Sequence, residues 1–127
     1  MSEIVITRED GRILHRHIAH GLLRAKLARA TFVPGKYVPP HVVTLGSRVA
    51  YHDETANVRG TVTLVLPGEA DALAGRICVT TPFGSALLGM AAGETTTYLH
   101  ADGTRHRLLV EYVLTQPERT LGLALGA

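Results

Sequence analysis

The chain has 127 residues, 46% hydrophobic and 19% charged, with 13 Lys and Arg against 11 Asp and Glu and a formal net charge of +2. That suffices for one ordinary domain with a short appendage, not for two full domains, and the interspersed charges without low-complexity tracts exclude disorder throughout. The longest uncharged run, residues 77–93, is broken by Thr80, Thr81, Pro82 and glycines, and no basic segment leads into an apolar stretch near Met1. Neither a membrane-spanning helix nor a signal peptide is expected, and a lone cysteine, Cys78, in the apolar run Ile77-Cys78-Val79 suits a small buried hydrophobe in a reducing cytoplasm. Charge divides unevenly: residues 1–52 hold Arg8, Arg12, Arg16, Arg24, Lys26, Arg29, Lys36 and Arg48 against Glu3, Glu9 and Asp10, while residues 53–127 are acidic in balance.

In chain order, Thr7 followed by Asp10 has the spacing of a capping box, and Leu14, Ile18 and Leu22 then recur at helical spacing, with Leu23, Leu27 and Ala30 on an adjoining stripe. Gly21 falls inside this pattern, which fits either one bent helix of about 23 residues, ~35 Å long, or a short helical hairpin. Pro34, Pro39 and Pro40 exclude a regular helix and mark a boundary, giving a basic helical arm and Pro-rich linker over residues 1–40.

Strand signals follow. Residues 47–53 and the alternation Val58, Gly60, Val62, Leu64, Leu66 read as two strands, residues 67–75 as a loop, and residues 76–80 as a short apolar strand. Thr81-Pro82 is an N-cap and first-turn pair for a helix through Leu88 that Gly89 or Gly93 ends. Residues 94–100 and 104–114 flank Ala101-Asp102-Gly103, the Asp-Gly signal of a hairpin. The order β-β-β-α-β-β predicts an α+β domain, a small antiparallel sheet with one helix, of roughly 75 residues and able to fold alone.

Several separate segments, His41–Val49, Val62–Val65, Ile77–Gly89, Ala92–Glu94 and Tyr112–Glu118, occur in the order found in the C-terminal domain of the Gre (GreA/GreB) transcript-cleavage factors, which residues 41–118 resemble. The likeness is strongest to the branch named for regulation of nucleoside diphosphate kinase, whose second arm helix Ala25–Ala30 also resembles; nothing matches for the tail, residues 119–127, from Leu121 onward. The resemblance implies an FKBP-like domain that docks on bacterial RNA polymerase at the rim of its secondary channel, with a helical arm projecting from it. In the cleavage factors a longer arm carries acidic residues that help hold a catalytic magnesium, an ion that wants hard oxygen ligands. Here no Asp or Glu lies between Gly11 and His52, and the arm is short, so docking without transcript cleavage is expected. Glu9 and Asp10 sit where carboxylates favour a helix start.

The same resemblance places Thr80, Thr81 and Pro82 where the family carries an acidic, hydroxyl and proline triplet that contacts the polymerase, and Phe83 beside them is an aromatic of the kind that anchors interfaces. Without a partner the same residues would simply cap and start a helix. Arg12, Arg16, Arg24, Lys26 and Arg29 form either an electrostatic surface for nucleic acid or an acidic rim, or a solvated helix face. Only Phe32 and Tyr37 lie near them, fewer aromatics than single-strand binding normally uses. Of His15, His17 and His20 only the latter two share a helical face, a third ligand would have to come from His41 or His52, and no Cys/His pairing announces a site, so no metal or other cofactor is expected. Ser47 and Ser85 lack a nucleophile elbow, no phosphate-binding loop appears, and Cys78 sits mid-strand, so no enzyme is predicted; an FKBP-like fold does not by itself supply a prolyl isomerase site. The expected function is a cytoplasmic transcription regulator acting by occupancy of RNA polymerase. The alternatives are a nucleic-acid or effector-binding protein using the basic arm, and a regulator that binds nucleoside diphosphate kinase.

Overall fold

The computed structural model describes residues 4–16 and 21–119. Strand β1 (Val5–Thr7) leads into helix α1 (Arg8–His15), and helix α2 (Leu22–Arg29) leads into strand β2 (Thr31–Val33). Thr7 caps α1 as its spacing predicts, its hydroxyl accepting the Asp10 amide at 3.0 Å. Gly21, at φ +94°, precedes α2, so of the two forms the pattern allows the chain takes two separate eight-residue helices. Ile18, His17 and His20 lie outside the described residues, as does the tail from residue 120.

These helices lie against the domain and do not stand off it. Leu14, Leu23 and Leu27 belong to one buried cluster with Val43, Leu64 and Leu87, because an apolar stripe on so short a helix is stable only when covered. Strands β1 and β2 also pair in parallel, Ile6 opposite Phe32, and Ile6 enters the same core. Two three-residue strands separated by two helices carry too short a pattern to be read from sequence.

Beyond the proline segment come β3 (Arg48–Asp53), β4 (Val58–Val65), β5 (Arg76–Cys78), α3 (Pro82–Leu87), β6 (Thr95–Leu99) and β7 (Arg105–Thr115). This is the expected order, and the spatial order is β5-β4-β3-β7-β6. The sheet departs from the expected antiparallel pattern at one edge, where β5 pairs parallel to β4, Thr63 opposite Arg76. The reason lies in residues 66–75: a 3-10 turn (Ala72–Ala74), capped by Asp71, and Gly75 at φ +72° carry the chain around before it runs beside β4. The Asp-Gly hairpin forms as predicted, Leu99 opposite Arg105, with Gly103 at φ +88°.

Val49, Val62, Leu64, Leu108 and Val110 share one buried core with Ala86 and Leu87 of α3, each buried side chain of this size worth about 1.5–3 kcal/mol. Helix α3 approaches the end of β5 so closely that a Cβ on Gly84 would overlap the Cys78 carbonyl, so only glycine fits there. Gln116, buried, donates to the carbonyls of Pro39 (2.8 Å) and Val42 (2.9 Å) and ties the last strand to the proline segment. Among the described residues no helix is long and apolar enough to cross a membrane.

Candidate partner-binding groove at the head of helix α3

The turn from β5 into α3 presents Thr80 and Pro82 to solvent while Thr81 faces partly inward. The Thr81 hydroxyl accepts the Gly84 amide (3.0 Å) and donates to the Cys78 carbonyl (2.8 Å), and Pro82 occupies the first turn. Below it the buried Ser85 hydroxyl donates to the Val79 carbonyl at 2.7 Å. Thr81 therefore does cap the helix, and the same bonds hold the two exposed residues in one rigid arrangement.

Phe83 is not a protruding anchor. It is half-buried between Tyr51 and Tyr98, with ring centroids 5.0 and 5.2 Å away in edge-to-face contacts. These three rings floor an open groove of about 710 Å³ whose walls are Thr81 and Pro82 on one side and the hairpin residues Leu99, His100, Ala101 and Gly103 on the other. Tyr51 gains its room from the cross-strand partner Gly60, where a Cβ would lie 2.7 Å from the tyrosine oxygen. Five per cent aromatic content hid this groove, because its rings come from three separate elements and meet only through the register.

Behind the hairpin wall, the buried Asp53 accepts the Tyr98 hydroxyl (2.7 Å) and His106 Nδ1 (2.7 Å) on one oxygen, and the amides of Thr55 (3.1 Å) and Ala56 (3.0 Å) on the other. Burial works to raise its pKa, but these donors outweigh that effect and hold it at about 2. Burial and the bond to Asp53 push the Tyr98 hydroxyl up, so it stays a donor. Thr104 Oγ1, 3.1 Å from His106 Nε2, completes a line that resembles a hydroxyl–imidazole–carboxylate triad. The turn amides of Asp102, Gly103 and Thr104 are already bound to His100 Nδ1, the His100 carbonyl and Asp102 Oδ1, so these three are not poised to stabilise an oxyanion.

The basic residues divide. Arg12, Arg16, Arg24 and Arg29 are exposed, and Arg8, Arg12 and His15 share a depression of about 270 Å³ with Phe32. Lys26 leaves the expected surface: it is 8% exposed and its ammonium donates to the carbonyls of Ala86 (3.0 Å) and Leu88 (2.8 Å), at the C-terminal end of α3. Its long apolar stem suits the core and its charge suits the negative end of a helix, while burial, with Arg29 nearby, lowers its pKa to about 8. Cys78 ends β5 half-buried, its sulfur 3.0 Å from Thr80 Oγ1, and is not the fully buried hydrophobe expected. Among the described residues, those brought together with metal-ligand character are His100, Asp102 and His106, which bracket the Asp-Gly turn; His17 and His20 lie outside the described residues.

The family model describing the C-terminal region of the transcription elongation factors GreA/GreB matches residues 38–113. Among curated relatives, the transcription elongation factor GreA of Thermodesulfovibrio yellowstonii is 37% identical over 59% of this chain and 48% of its own length. That of Pelobacter propionicus is 32% identical over 70% of this chain and 56% of its own. The chain thus spans about half the length of the curated relatives it matches. The solved structure of the prokaryotic transcription elongation factor GreA/GreB from Nitrosomonas europaea is 31% identical, with a TM-score of 0.69 over 88% of this chain and 98% of that one. With most of its sheet, helix α3 and the groove between them inside the matched segment, the chain belongs to the GreA/GreB transcription elongation factor family.

Proposed function

We propose that the protein binds bacterial RNA polymerase through the head of α3 and the adjoining groove, and regulates transcription in the cytoplasm by occupying the secondary-channel rim. The observation that carries this reading is the pairing of two exposed, rigidly held residues, Thr80 and Pro82, with an aromatic-floored groove that their own turn walls. Apolar floors bounded by fixed polar groups are where interface energy concentrates. The protein acts without catalysis of its own and without stimulating transcript cleavage. Supporting this are the absence of any carboxylate between Gly11 and His52 and the eight-residue length of α1 and of α2, about 12 Å each.

Binding of the full chain to purified bacterial core polymerase tests the reading. Pro82→Ala, on an exposed position, is expected to weaken binding by about tenfold without loss of folding, the size of a modest interface hot spot. Thr80→Asp restores the acidic residue of the resembled family and is expected to tighten it. No saturable binding by the unaltered chain would refute the proposal.

A second reading rests on Arg8, Arg12 and His15 lining one depression on α1, an arrangement suited to a phosphate backbone. Affinity for duplex DNA that falls steeply with salt, together with undetectable polymerase binding, would favour it.

A further inference from the structure

The tip of the β6–β7 hairpin gathers more acceptors than it has protons to share. His106 Nδ1 is engaged by Asp53, which already takes three other donors, so this nitrogen carries the hydrogen and Nε2 presents its lone pair toward the turn. There Nε2 lies 3.1 Å from Thr104 Oγ1 and 3.9 Å from Asp102 Oδ2. The single Thr104 hydroxyl proton is directed to Asp102 Oδ1 at 2.6 Å. His100 Nδ1 accepts the Asp102 amide at 3.2 Å, so it too offers a lone pair, and it stands 3.2 Å from Asp102 Oδ1. Two imidazole nitrogens with free lone pairs and a carboxylate thus lie close together, their ligand atoms within 4.8 Å of one another.

We propose that His100 Nδ1, His106 Nε2 and the Asp102 carboxylate form a binding site for a divalent transition metal, Zn²⁺ above all, with a fourth position left for water. Two nitrogens and one oxygen suit zinc and its neighbours, whereas Mg²⁺ and Ca²⁺ want six or more oxygens. Asp53 supplies the support such sites use, a carboxylate on the far nitrogen of a ligating histidine that fixes its tautomer and ring. Ligands around one zinc stand at about 2.0–2.2 Å from it, so the group must close. The closing falls on the side chains of His100 and Asp102, 41% and 54% exposed, while that of His106, 7% exposed, stays fixed. His100 must also leave its stack on His106, now 4.2 Å between centroids and 8° from parallel, because parallel rings cannot aim both lone pairs at one ion. Since His100, Ala101 and Gly103 wall the groove, a bound ion would brace that wall. The site does not depend on polymerase binding.

Titrating the full chain with Zn²⁺ alone by calorimetry, with the His106 ring followed by NMR, tests the site. Expected are one Zn²⁺ per chain, a shifted His106 ring resonance, and affinity about tenfold or more weaker in both His100→Ala and Asp102→Asn. Asp102→Asn keeps an oxygen for the Thr104 bonds and should melt like the parent without metal, whereas His100→Ala also loses the stack on His106 and the acceptor of the Asp102 amide, so its affinity is read at a temperature where both remain folded. No saturable binding by the parent, affinity unchanged in both variants, or an equal response to Mg²⁺ would each overturn the proposal. Unchanged affinity would assign the zinc to other histidines and leave the hairpin cluster as a turn staple.

Discussion

Asp10, where α1 meets the domain, and Asp53, at the root of the β6–β7 hairpin, are buried to nearly the same degree, 7% and 4% exposed, yet their acidities move in opposite directions. Burial pushes Asp10 up to about 6: its carboxylate accepts the Leu45 amide at 3.0 Å, but Glu118 and Glu9 stand near and add repulsion. Asp53 meets four donors, among them an imidazole and a phenol, and is held at about 2. At Asp10 burial outweighs the donors, and at Asp53 the donors outweigh burial.

Removing Asp53 breaks this comparison hardest. Asp53→Ala leaves His106 and Tyr98 buried without their acceptor and is expected to cost about 3–5 kcal/mol in urea unfolding. Lys26 is the cationic counterpart, a buried charge satisfied by two carbonyls; Lys26→Ala should cost about 2–3 kcal/mol in the same assay and loosen α3. Asp10→Asn should do the reverse, adding about 1–2 kcal/mol at pH 7.5 while leaving the amide bond from Leu45 in place. The folded chain holds the Asp10 proton to a higher pH than the unfolded chain, so this residue makes stability fall as pH rises from about 4 to 6. Asp53 works in the other window: its contribution is full above about pH 4 and is lost as pH falls toward 2. Melting curves of Asp10→Asn should therefore coincide with the parent's at pH 4 and lie above it at pH 7.5.

Much of this arrangement was legible in the residues. Alternation from Val58 onward, the Thr81-Pro82 start of α3 and the Asp-Gly turn are local signals, and each appears where the spacing puts it. Long-range placement was not legible. Lys26 reads as one more basic side chain on an exposed face until α2 is docked against α3, and Phe83 reads as an anchor until Tyr51 and Tyr98 close around it. The His100, Asp102 and His106 cluster had a signal, two histidines flanking an Asp-Gly turn, but its members come together only through the hairpin register, whereas His15, His17 and His20 are merely close in sequence.

Strand β3 sits at the centre of the sheet with β4 on one side and β7 on the other, pairing Val49 with both Val62 and Val113. The first pairing needs only a tight local turn, as does that of β6 with β7, whereas joining the two hairpins must close the connection from Val65 to Thr95, about thirty residues, before any reward arrives. Folding is therefore expected to be slowed at that seam, with each hairpin formed early and the β3–β7 ladder zipped last, on the millisecond scale typical of domains dominated by distant contacts.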